Sequence, residues 1–123
     1  MTLSSSLAYA QPTAPIRTPR MAEYEVIARI TQRLVAADRR GNEDHSGLLE
    51  AVFHNEKLWS TLAADVAEPG NGLPEALRAR LFYLYRFTAD HSRKIRQKTA
   101  DAGVLIEINK AVLKGLRGEG AAT

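Results

Sequence analysis

A chain of 123 residues, 45% hydrophobic and 25% charged, is long enough for one modest core and too short for two. It contains no cysteine, which excludes disulfides and thiolate metal sites, and no apolar run approaches the ~20 residues that span a bilayer. The net charge of +3 is mild for a nucleic-acid binder but unevenly spread: residues 41–70 carry one basic and six acidic side chains, residues 71–103 seven basic and three acidic. Such blocks either pair with each other in an antiparallel arrangement or leave a basic face for an acidic partner.

Residues 1–17 are rich in Ser, Thr, Pro and Ala and show no periodicity, a composition that predicts a flexible segment. Ala8-Tyr9-Ala10 imitates a signal-peptidase site, but "MTLSSSL" before it has neither a basic n-region nor an apolar h-region, so the expected compartment is the cytoplasm. Leu3, Leu7, Tyr9 and Ile16 are many apolar side chains for an inert tail. They are there either by chance or because the segment docks on the core or on a partner.

The first helix is expected from Thr18 as N-cap and Pro19 at the first helical position. Ile27, Ile30, Leu34 and Ala37 form its apolar stripe, with Tyr24 and Val26 beside it, and Gly41-Asn42 ends it. The second runs from about Glu43 to Val66, with Glu43 and Asp44 in its first turn. Its stripe of Leu48, Val52, Trp59, Leu62 and Val66 is interrupted by an amide, Asn55. "AEPGNGLP" at 67–74 breaks the helix. The third starts at Pro74 and carries Leu77, Leu81, Leu84, Thr88, His91 and Ile95 on one face. After Gly103, Leu105, Ile108, Val112 and Leu116 give a short fourth helix, and residues 118–123 form a flexible tail. The fold class is all-α, a small bundle of about four helices.

Chemistry is sparse. No phosphate-binding loop, nucleophile elbow or paired-histidine metal motif is present, so neither catalysis nor a cofactor is expected. His45, His54 and His91 lack histidine partners at helical spacing. Arg93, Lys94, Arg96 and Lys98 make a basic turn with tyrosines upstream, which reads as a solvated helix end or, alternatively, as an RNA contact.

Five blocks in order carry a family resemblance: "AYAQ" at 8–11, "TPRMAEYEVIARIT" at 18–31, "GLLEAVFHNEKLWSTLAADV" at 47–66 with its Asn55-x-x-Leu58-Trp59 core, "NGLPEALRARL" at 71–81, and "IEINKAVLKGLRGE" at 106–119. Together they resemble the flagellar biosynthesis regulator FlaF family of alphaproteobacteria, over about Leu7 to Arg117, with residues 18–117 as the single helical domain. Two features depart from the family pattern: glycines flank Asn71 in the linker, and Thr88 stands where an apolar residue is expected.

The resemblance implies a cytoplasmic flagellin-binding secretion chaperone that also promotes flagellin synthesis, opposing the repressor FlbT, and not an enzyme. Its implied partners are the terminal helices of flagellin, and FlbT. The alternative is an RNA-binding regulator of flagellin message acting through the basic turn. Candidate partner-binding residues are Val52, Asn55, Leu58, Trp59 and Leu62 on the second helix, with Leu73, Leu77 and Arg78 around the start of the third. Asn55 has two readings: a core amide that bonds the "GNGLP" loop or fixes helix register, or a groove residue that meets the client. Trp59 divides the same way, between core and binding hot spot.

Overall fold

Pro19 opens the first helix, where its missing N–H costs nothing. The computed structural model describes residues 19–116. The expected Thr18 cap, the N-terminal segment 1–17 and the tail 118–123 lie outside them. The described residues are helical with no strand: α1 (Pro19–Arg40), a 3-10 turn (Gly41–Asp44), α2 (His45–Ala67), α3 (Glu75–Arg96) and α4 (Gly103–Leu116). The expected small bundle takes the form of three long helices of 22, 23 and 22 residues and one of 14.

Each boundary has a local cause. Gly41 takes a φ of +52°, a conformation that L side chains rarely adopt, and this stops α1. The second helix begins slightly later than the sequence suggests. Glu43 and Asp44 belong to the 3-10 turn, and Asp44 is the N-cap, its carboxylate accepting from the Gly47 N–H at 3.0 Å. A Cβ at Gly47 would collide with that carboxylate.

Asn71 organises the linker between α2 and α3. Its Nδ2 donates to the Asp65 carbonyl at 3.0 Å, satisfying the end of α2, and its Oδ1 accepts from the Leu73 N–H at 3.1 Å. Gly72, at φ +88°, lets the chain turn back. Gly72 therefore serves a pinned turn rather than a loose one. Pro74 is the residue before α3 rather than within it.

The helices run alternately up and down. α1 packs along α2, α3 along the other side of α2, and α4 along α1, while α3 and α4 meet only briefly. The charge blocks do pair across the α2–α3 seam: Arg96 grips Glu56 with two hydrogen bonds, at 2.7 and 3.3 Å. That bond is the main reason the Arg96 guanidinium is held above its ordinary range. At the same end the Ala102 N–H donates to Asp38 at 3.0 Å, and the His91 Nε2–H donates to the Asp101 carbonyl at 2.8 Å. These two bonds tie the start of α4 to α1 and α3.

Candidate functional site

Two apolar clusters fill the interior, and they differ in how well they are covered. At the end formed by the C-terminal halves of α1 and α3 and the starts of α2 and α4, Leu34, Val52, Ile95, Ala102 and Leu105 are all 0% exposed. This end is sealed. The opposite cluster has only Ile27, Leu58 and Trp59 fully buried, ringed by half-buried apolar side chains from all four helices, among them Ile30, Leu62, Leu84, Tyr85, Ile108 and Val112. The inward stripe of α3 records the change: Ile95 is 0% exposed and Thr88 1%, Leu84 and Leu81 are half-buried, and Leu77 is 41% exposed. Because α3 and α4 scarcely touch, this end of the core stays open.

Where the halves meet, a polar chain crosses the interior. The Trp59 indole N–H donates to Asn109 Oδ1 at 2.9 Å, and Asn109 Nδ2 donates to Asn55 Oδ1 at 2.8 Å. All three side chains are buried. This answers the question of the interrupted stripe, and corrects one expectation: Asn55 pairs with an amide on α4, not with the "GNGLP" loop, which is held by its own Asn71. Asn55 Nδ2 and Thr88 Oγ1 are buried without a hydrogen-bond partner. Thr88 lines, with Trp59, Tyr85 and Glu56, a cleft of about 170 Å³ between α2 and α3.

The candidate partner-binding residues therefore separate. Val52, Asn55, Leu58 and Trp59 are buried, with Trp59 at the wall of the α2–α3 cleft, because α2 is clasped between α1 and α3 and α4 reaches its centre through Asn109. Leu62 is half-buried at the open end. Leu73 and Leu77 are exposed at the same end. Arg78 is turned to the linker, its Nε donating to the Leu73 carbonyl at 3.1 Å. The sequence reading placed Ile108 and Val112 on the stripe of the fourth helix but left α4 out of the candidate site: both face the open end, and Asn109 is the hub of the polar chain. A signal was available, since Asn109 lies four residues after Leu105 and three before Val112, which puts an amide on the apolar face of the fourth helix.

The basic turn is partly neutralised. Arg93 and Lys94 pair with Asp90, and Arg96 with Glu56. Lys98 is exposed, at φ +62°, in the turn that ends α3. A second, larger cleft of about 430 Å³ between α1 and α2 mixes Arg33, Arg40 and His54 with Asp44 and Glu50. Arg40 and Asp44 pair across it at 3.5 Å. Among the described residues no group of three or more potential metal ligands is assembled, and no helix is long and apolar enough to cross a membrane.

No curated protein and no solved structure matches the chain. The model of the flagellar protein FlaF family matches residues 5–116. That match spans all four helices, the polar chain between α2 and α4, and the open end of the core, and on it the chain belongs to the FlaF family of flagellar proteins.

Proposed function

We propose that this protein is a cytoplasmic, non-enzymatic flagellin-binding secretion chaperone that promotes flagellin synthesis, and that the open end of its core receives a terminal helix of flagellin. The observation that carries the reading is the graded exposure along α3's inward stripe, from 0% at Ile95 to 41% at Leu77. Side chains patterned to face a core lack cover there, and an amphipathic helix laid between α3 and α4 would supply it.

Magnitudes fit a releasable client. Fully burying a Leu, Ile or Val side chain contributes roughly 1.5–3 kcal/mol, so completing the burial of six half-covered ones gives on the order of 5–9 kcal/mol gross. Association and the folding of the client helix offset part of that. The expected affinity is micromolar or weaker, compatible with surrender to an export machinery. FlbT enters as a competitor in regulation, acting in opposition on flagellin synthesis. The alternative, flagellin message held by the basic turn, is disfavoured by the acidic partners of Arg93, Lys94 and Arg96.

Titration calorimetry of the full chain with flagellin, with flagellin lacking its terminal helices, and with flagellin message tests this at low and high salt. Binding to intact flagellin is expected, lost on truncation, and changed less than about tenfold by salt, because a screened contribution is minor in an apolar groove. Undiminished binding to the truncated flagellin would overturn the helix-in-groove reading. Binding to the message alone, falling steeply with salt, would favour the RNA alternative.

A further inference from the structure

The α2–α3 seam does not use up the charges of α1 and α2. At the sealed end, the C-terminal half of α1 and the N-terminal half of α2 bound the cleft of about 430 Å³. Its floor is short-chained, made of Ala36, Ala37, Gly47 and Ala51. Its walls carry opposite signs, with Arg33 and Arg40 on the α1 side and Asp44 and Glu50 on the α2 side. His54, also on the α2 side, packs edge-on against the Phe53 ring at 5.6 Å. Arg40 and Asp44 satisfy each other where the two helices join, at 3.5 Å. Arg33 and Glu50 do not: both are exposed, and among the described residues neither has an ion pair.

These two side chains stand at nearly one level. Arg33 is seven residues before Arg40 and Ala51 seven after Asp44, so in antiparallel helices of equal rise Arg33 lies opposite Ala51, one residue from Glu50. A ligand of a single sign laid in the cleft meets a like charge on one wall. A matching partner carries both signs in the reverse order, and a second copy does so by symmetry. A two-fold axis along the cleft lays the basic α1 wall of each copy over the acidic α2 wall of the other, with the level unchanged. We propose that this protein pairs with a second copy of itself through the α1–α2 cleft, Arg33 of each copy facing the partner's Glu50. The shared face is at most two helices wide, about 20 Å, and one 22-residue helix long, about 33 Å, which gives roughly 650 Å² a side. That is below the ~800 Å² a side of a standard stable interface, so the dimer is weak, with a Kd on the order of tens of micromolar. Its exposed charge pairs make it salt-sensitive. Because the cleft lies at the sealed end, pairing there leaves the open end of both copies free and is independent of what that end receives.

Sedimentation equilibrium of the full chain in low salt, from about 10 μM to about 1 mM, brackets that affinity. The parent is expected to pass from monomer to dimer over this range, and added salt to weaken pairing. Arg33→Glu alone sets two carboxylates against each other at both symmetric contacts, and Glu50→Arg alone sets two guanidinium groups against each other. Each is expected to weaken pairing at least about tenfold. An equimolar mixture of the two variants restores opposite signs at both contacts and is expected to pair as tightly as the parent, as a heterodimer. Both positions are exposed, so each variant is expected to keep the parent's Tm, which separates loss of pairing from loss of fold. A parent that stays monomeric throughout the range would overturn the proposal and leave the cleft to a different protein. So would single variants that dimerise like the parent, or a mixture no more associated than its components.

Discussion

Trp59→Ala is expected to lower the free energy of unfolding by roughly 3–5 kcal/mol, the range for removing a fully buried aromatic side chain from a core. The indole is 1% exposed, packs with Ile27 and Leu58, and donates its N–H to Asn109. A small domain has only ~5–15 kcal/mol of stability in total, so this variant approaches the unfolding threshold. Urea denaturation followed by circular dichroism measures it. Trp59→Phe separates the two contributions: it keeps most of the apolar volume but leaves Asn109 Oδ1 unpaired, for an expected loss of roughly 1–3 kcal/mol. A Trp59→Ala protein as stable as the parent would return this side chain to the binding surface.

The second large effect is expected at Asn109. Its side chain is the one member of the polar chain bonded on both sides, accepting from Trp59 and donating to Asn55. Asn109→Leu fills the volume but strands the indole N–H and the Asn55 carbonyl oxygen, each at roughly 1–3 kcal/mol, about 2–6 kcal/mol together. Neither Asn55→Leu nor Trp59→Phe alone strands two groups in this way. The triple change of Asn55→Leu, Trp59→Phe and Asn109→Leu removes every member at once and is expected to regain much of the loss, because no member of the chain is then left stranded. Denaturant midpoints for the single and triple variants check this. A triple variant no more stable than Asn109→Leu would mean that packing, not hydrogen bonding, sets the role of this layer.

The reason to keep such a chain is register. Apolar stripes on α2 and α4 can slide by a turn with little penalty, whereas the two bonds linking Trp59, Asn109 and Asn55 form in one alignment only. The alignment fixes α4 against α2 at the point where the interior changes from sealed to open. The polar chain thus forms the floor of the open end.

Much of this architecture is legible in the sequence. Helix spacing, the Gly41 stop, the 67–74 break and the apolar stripes each follow from local rules that tertiary contacts did not override. Asn55 stood out because an amide in a stripe needs a partner, yet its partner lies 54 residues away and no local rule points to it. The nearer loop was the wrong choice because Asn71 already satisfies that loop. Val52, Leu58 and Trp59 were candidates for a binding face because periodicity says only that a residue faces apolar neighbours. Whether those neighbours belong to the same chain depends on how far the helices diverge, and the separation of α3 from α4 is a long-range outcome that no stripe records. Thr88 shows the same limit: spacing placed it inward, but not that its hydroxyl would be left without a partner beside a cleft.

The central claim, that the open end and not the buried Asn55–Trp59 face receives the client, is tested most directly by the flagellin affinity of Leu77→Asp. Leu77 is 41% exposed at that end, so a carboxylate there is tolerated by the free fold and opposed only by an apolar occupant. Phe53→Asp is the control, at a side chain 54% exposed on the outward face of α2. Leu77→Asp is expected to weaken flagellin binding by at least about tenfold, some 1.4 kcal/mol, with Tm close to the parent's, while Phe53→Asp leaves affinity unchanged. A folded Leu77→Asp protein that binds flagellin as tightly as the parent would contradict the account.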